Sequence, residues 1–215
     1  MLYTGMKIPT LLAFCEQENK ESKNLLVSIK SKLPEKFNAH LSPGLIDIFG
    51  RQNILCHYGS NYKMILTKEA CDPNDKHIRK LSINDLAIIK ELYSVSYPQN
   101  WFDSYMLKTN KYYGYFINDK LVGVSGIHVF SKEYKVAALG NITTHPDFRG
   151  QQIGFKLTSA LCFDLQKCVD LIGLNVHSDN EYAIRCYKKI GFEIIGTYDE
   201  CCIKNDFSSP LASEI

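Results

Sequence analysis

The segment Asn141-Ile142-Thr143-Thr144-His145-Pro146-Asp147-Phe148-Arg149-Gly150-Gln151-Gln152-Ile153-Gly154-Phe155-Lys156 decides the reading of this chain. A strand, Val136 to Thr144, runs into a proline turn and then into Arg149-Gly150. A long amphipathic helix follows from Gln151 to Cys168, with Ile153, Leu157, Ala160, Leu161, Leu165 and Cys168 on one stripe. The first turn of a helix leaves backbone N–H groups unpaired, and its aligned peptide dipoles make that end positive. Gly150 allows backbone to approach a ligand closely, Gly154 allows the helix to pack against something bulky, and Arg149 adds a permanent charge. Together these features form a cradle for an anion such as a phosphate.

Working outward, Val169 to Ser178 is a mostly apolar strand suited to the middle of a sheet. A helix from Asn180 to Ile190, stopped by Gly191, and a strand from Phe192 to about Ile203 complete the C-terminal side. Upstream, His77–Leu81, Lys111–Asn118 and Leu121–Phe130 read as strands. Ser82–Tyr93 reads as a helix with Ser82 and Asp85 as a capping box, and Trp101–Leu107 as a second short helix. The order β-α-α-β-β-β-α-β-α-β implies a mixed sheet with helices on both faces. Its three consecutive strands should be antiparallel, and Val136–Ser178 should form a right-handed parallel crossover.

The first 70 residues read differently. Leu11, Leu12 and Phe14, then Leu25, Leu26, Ile29 and Leu33, recur at helical spacing. A short helix opens at Ser42-Pro43, and Asn53–Tyr58 and Tyr62–Thr67 flank Gly59-Ser60-Asn61 as a hairpin. The polar stretch Glu69–Lys76 reads as a linker. The expected organisation is an N-terminal helical and hairpin subdomain over 1–70, a main α/β domain over 77–204 and a flexible tail over 205–215.

Composition removes several function classes. The 215 residues carry a formal net charge of only +2, with no basic footprint for nucleic acid or a membrane surface. The eight cysteines include no Cys-x-x-Cys pair, so they read as reduced thiols rather than a metal or disulfide framework. No stretch approaches the roughly 18 apolar residues of a membrane span, and no secretory leader is read, so the expectation is a soluble cytoplasmic protein. A Gly-x-x-x-x-Gly-Lys phosphate loop, a His-Glu-x-x-His zinc site and a Gly-x-Ser-x-Gly elbow are all missing.

The Arg149-to-Gly154 segment resembles the pyrophosphate-binding motif of the GNAT N-acetyltransferase superfamily. The resemblance continues through Asn180, Ala183, Tyr187 and Gly191-Phe192, and covers roughly residues 77–203. One departure is Gln152, which stands where the family motif has a glycine. The resemblance implies an α/β (α+β) fold: a mixed, mostly antiparallel sheet with helices on both faces and a V-shaped cofactor cleft beside a bulge at Asn141–Thr143. It also implies transfer of an acetyl group from acetyl-CoA to a primary amine of a small molecule or peptide, in a ternary complex and without a metal.

The residue roles follow from the same resemblance. The N–H of Ile142 faces the acyl carbonyl, and Thr143 and Thr144 lie along the pantetheine arm. Arg149, Gly150, Gln151, Gln152, Ile153, Gly154 and Phe155 surround the pyrophosphate, with Asn180 and Ala183 beside the cofactor. Tyr187 is the expected general acid. Its alternative is a core aromatic, and that of Asn180 is a helix cap. His128 and His177 are candidate bases that read equally as structural histidines. The tyrosines around Trp101 line an acceptor pocket or simply pack short helices. Residues 1–70 admit two readings: an extra half-domain like that of glycine N-acyltransferase-like members, or a docking module, with a homodimer compatible. A non-catalytic acyl-CoA-binding module is the alternative to the enzyme.

Overall fold

β8 (Val136–Thr144) buries every second residue, Ala137, Leu139, Asn141 and Thr143, and this strand organises the C-terminal part of the chain. The computed structural model describes residues 1–5, 7–15 and 20–206. Its strands are β1 (Leu2–Tyr3), β2 (Thr10–Ala13), β3 (Lys36–Leu41), β4 (Ile54–Leu66), β5 (Ile78–Lys80), β6 (Tyr113–Ile117), β7 (Lys120–Ser131), β8, β9 (Leu171–His177) and β10 (Phe192–Lys204). The α-helices are α1 (Lys20–Ile29), α2 (Leu86–Ser96), α3 (Ile153–Leu165) and α4 (Glu181–Ile190). The chain divides into two units, one of Met1–Tyr62 with His177–Asp179 and Gly196 onward, the other of Lys63–Val176 with Asn180–Ile195.

In the second unit the strand order β9-β8-β7-β6-β5 is antiparallel throughout except for β8 and β9, which pair in parallel across α3. This agrees with the expected antiparallel meander and parallel crossover, and β8 and β9 pair directly. Thr143 and Thr144 show why helices cover both faces. The Thr143 hydroxyl approaches the Ser96 carbonyl of α2 at 3.4 Å, whereas Thr144 Oγ1 lies against Gly154 of α3. Adjacent strand residues point to opposite faces, so α2 and α3 sit on opposite sides of β8. Ser82 caps the entry to α2 with the expected box to Asp85.

In the first unit β2, β3 and the end of β10 bury Leu11, Phe37, Ala39, Leu41, Cys201 and Ile203 beneath Leu26 of α1. Three expectations are corrected here. Leu11–Phe14 does not form a helix: Thr10–Ala13 is a strand pairing in parallel with β3, a strand the sequence reading left out. The apolar residues of so short a segment fit either period, and pairing with β3 decides the outcome. The expected hairpin over 53–67 is a single continuous strand, β4. Gly59, at φ 111°, serves close approach of the His177 ring rather than a turn, and Ser60 donates to Asp199 at 2.6 Å. The two units divide within β4, at Tyr62/Lys63, and within β10, at Ile195/Gly196. Asn205, placed in the expected tail, is buried and donates to the carbonyls of Lys30 and Leu33; residues 207–215 lie outside the described residues.

All eight cysteines are free thiols. Among the described residues no helix is long and apolar enough to cross a membrane, and no group of three or more His, Cys, Asp or Glu could hold a metal.

Candidate active site

The site begins as a fault in the β7–β8 ladder. Gly123 and Val124 pair with Thr144 and Thr143, and Gly126 pairs with Gly140, so Asn141 and Ile142 together oppose Ser125 alone. This is a β-bulge, and Asn141 takes a left-handed backbone, φ 55°, to make it. Buried side chains hold it. The Tyr93 hydroxyl of α2 donates to the Asn141 carbonyl at 2.7 Å, and Asn141 Nδ2 donates to Tyr112 Oη at 3.0 Å. Tyr112 in turn donates to the Ile127 carbonyl at 2.8 Å. Burial pushes the Tyr93 hydroxyl well above its ordinary pKa and that of Tyr112 up to about 12, so both stay neutral donors.

Beyond the bulge the sheet opens. β8 pairs with β9 only from Val136–Leu139 to Leu171–Leu174, and the later residues of both strands have no register partner in each other. Ile142 has no register partner in β7 or β9. The two strands part there, and Ile142, Thr143 and Thr144 lie on the β8 side of the gap between their unpaired ends.

At the mouth of this gap the turn Pro146–Phe148 leads into α3, with Pro146 in its first position and His145 capping it through Asp147 N–H. Gly150 and Gln152 both adopt left-handed backbones, φ 79° and 58°. A side chain at Gly150 would meet nothing within 4 Å, so the glycine serves conformation and leaves open space above the loop. Among the described residues no acceptor is hydrogen-bonded to the N–H groups of Gly150, Gln151, Gln152, Ile153, Gly154 or Phe155; the first helical bond is Lys156 N–H to the Gln152 carbonyl. Arg149 Nε donates to the Thr144 carbonyl at 3.3 Å, which ties the loop to the end of β8. An exposed loop with this many free donors at a helix N-terminus suits a pyrophosphate.

α4 forms the other side. Asn180 caps it, accepting from Ala183 N–H at 3.1 Å, so its helix-cap reading holds. Tyr187 packs edge-on to Phe192, with ring centroids 6.0 Å apart. Desolvation raises its hydroxyl pKa, with further contributions from Cys186, Tyr97 and Cys162. Tyr97, at the end of α2, adds to the upward shift of both the Tyr93 and the Tyr187 hydroxyl. The sequence reading placed Tyr93 and Tyr97 only in a possible acceptor wall, and it missed Tyr112 and Lys189 altogether. Lone tyrosines on a helix and a strand give no signal until the bulge that they support is seen.

His128 is the extra residue at a second bulge, in β7, with its ring across Gly140 and exposed to solvent. His177 belongs to the first unit, where its Nε2 lies 3.2 Å from the Tyr58 carbonyl.

Residues 81–192, just over half the chain, match the family model described as acetyltransferase (GNAT) family. A GNAT-family protein from Novosphingobium aromaticivorans superposes with a TM-score of 0.63 at 16% identity, over 83% of this chain and 79% of that one. An acetyltransferase from the GNAT family of Colwellia psychrerythraea gives 0.64 at 14% identity, over 89% and 76%. A GCN5-related N-acetyltransferase from Sphaerobacter thermophilus gives 0.61 at 12%, over 85% and 65%. At these identities the likeness is one of fold. A search of curated protein sequences returned no match.

Proposed function

The chain belongs to the acetyltransferase (GNAT) family, and from that premise we propose that it moves an acetyl group from acetyl-CoA directly to a primary amine. The observation that carries this reading is the bulge at Asn141–Ile142 opening onto a loop of unpartnered N–H groups. The residues fit the donor. The loop Gly150–Phe155 offers donors to a pyrophosphate, and the unpaired end of β8 offers backbone of Thr143 and Thr144 to the amides of a pantetheine arm, as an added strand would.

In this reading the N–H of Ile142 faces the thioester carbonyl. A donor fixed in place before reaction stabilises the developing oxyanion by about 3 kcal/mol. As the amine nitrogen bonds to the carbonyl carbon, the carbon–sulfur bond breaks and Tyr187 gives its proton to the departing sulfur. The raised pKa of Tyr187 keeps its hydroxyl protonated and opposes a role as base. Burial pushes the thiols of Cys162 and Cys186 up to about 12 and about 11, which supports direct transfer over a cysteine acyl-enzyme. The amine then loses its proton to water or to a neighbour at the open mouth. Tyr97, Trp101 and Tyr105 are 37%, 63% and 68% exposed, and this aromatic edge is the proposed approach for the acceptor.

The test is incubation with acetyl-CoA and a broad panel of primary amines and peptides, with acetylated product read by mass spectrometry. Product formation above the uncatalysed rate supports the reading. Binding of acetyl-CoA without turnover across the panel would favour a non-catalytic acyl-CoA-binding module instead.

A further inference from the structure

Lys189 lies in the last turn of α4, where a lysine ordinarily serves its own helix by facing the terminal carbonyls. It does not do so here. Its ammonium donates to Gln152 Oε1 at 3.3 Å and stands 4.6 Å from the centre of the Phe155 ring, so it has crossed from α4 to the start of α3. Lys188, in the same turn, remains to meet the C-terminal dipole.

That position is electrostatically odd. The start of a helix is its positive end, and the N–H groups of Gly150–Phe155 already point positive charge outward without acceptors among the described residues. Arg149 is adjacent, and no carboxylate pairs with either cation among the described residues. A cation placed there costs stability unless an anion joins it. Gln152 is what holds it. At φ 58° the backbone favours glycine, yet the chain carries glutamine, whose carbonyl oxygen is the hydrogen-bond acceptor of the lysine.

We infer that Lys189 is a phosphate-binding residue for the nucleotide end of the acyl donor, positioned by Gln152. The glutamine that departs from the family glycine thereby recruits a charge from α4 to the loop. The inference rests on the acetyl-CoA reading above and adds to it a second cation, from a different helix.

The experiment compares wild type, Lys189→Met and Lys189→Arg by calorimetric titration with acetyl-CoA and with S-acetyl-pantetheine, which shares the thioester arm but has no phosphate. Lys189 is exposed, so its variants should fold, and thermal melts check that they do. Losing one charge-assisted hydrogen bond should weaken acetyl-CoA binding by about tenfold to a hundredfold in Lys189→Met. Lys189→Arg should recover much of it, while the pantetheine thioester should bind all three alike. Wild type that binds acetyl-CoA no better than Lys189→Met overturns the inference and leaves the donor site standing. Equal losses for both thioesters also overturn it, since they indicate a structural role. Wild type that binds no acetyl-CoA overturns the donor reading and this inference together.

Discussion

The hydroxyl of Tyr93 donates to the main-chain carbonyl of Asn141 at 2.7 Å, from a helix on one face of the sheet to the bulged residue of β8. That carbonyl belongs to the same peptide unit as the N–H of Ile142, the proposed oxyanion donor. The bond therefore fixes the plane in which that N–H points.

Tyr93→Phe should cost about 1 kcal/mol of stability, the usual net worth of such a bond, while the ring stays packed on Phe102. Turnover should fall by about tenfold or more because the oxyanion donor loses its alignment. Steady-state kinetics beside urea melts would separate the two effects. A variant with lowered stability and undiminished kcat would show that the bond is structural only.

Tyr187→Phe should lower kcat by about a hundredfold with the affinity for acetyl-CoA unchanged. The raised pKa keeps the wild-type hydroxyl protonated past the ordinary tyrosine value of about 10, so any alkaline limb that it contributes to the pH–rate profile should lie above about pH 10 and vanish in the variant. An unaltered kcat in the variant would assign Tyr187 to packing against Phe192.

Gln152 holds a left-handed backbone that costs a non-glycine residue roughly 1 kcal/mol, partly offset by the greater freedom of an unfolded glycine. Gln152→Gly should thus raise the melting temperature by about 1–2 °C, and Gln152→Ala should not. Equal melting temperatures for the two variants would mean that the loop has relaxed elsewhere.

Asp75 accepts hydrogen bonds from Lys156 at 2.7 Å, from the His77 ring at 2.8 Å and from Tyr115 at 3.1 Å, anchoring the segment before β5 to α3. Burial alone would raise its pKa, but these bonds overcome it and hold the carboxyl well below the usual range. A depressed folded pKa contributes stability that is present above the unfolded value of about 3.9 and is lost as pH falls toward the folded one. Asp75→Asn should therefore cost about 2 kcal/mol near pH 6, with the difference from wild type shrinking below about pH 4. Chemical denaturation at both pH values checks this, and a gap that stays constant into acid would contradict it.

Much of the second unit was legible because its local signals agree with its packing. The Ser82–Asp85 box, the Gly191 stop and the stripe from Ile153 to Leu165 each name an element that the fold then uses. The bulge was expected only through family resemblance. Its physical supports, Tyr93 and Tyr112, come from elements distant in sequence and were invisible without the fold. In the first unit the local signals were ambiguous or misleading. Gly59-Ser60-Asn61 carries turn chemistry, yet it runs straight because His177 packs on the glycine and Asp199 takes the serine. The short apolar run at Leu11 became a strand only because β3 lay ready to pair with it. Lys189 was unread because its reach to Gln152 depends on how α4 packs beside α3.

The most direct test of the donor site is calorimetric titration of acetyl-CoA into wild type and into Arg149→Glu, which places a negative charge beside the loop of free N–H groups. The account expects saturable one-to-one binding by wild type and its loss in the variant. Wild type that binds neither acetyl-CoA nor CoA, or a variant that binds as tightly as wild type, would contradict the placement of the donor at Gly150–Phe155.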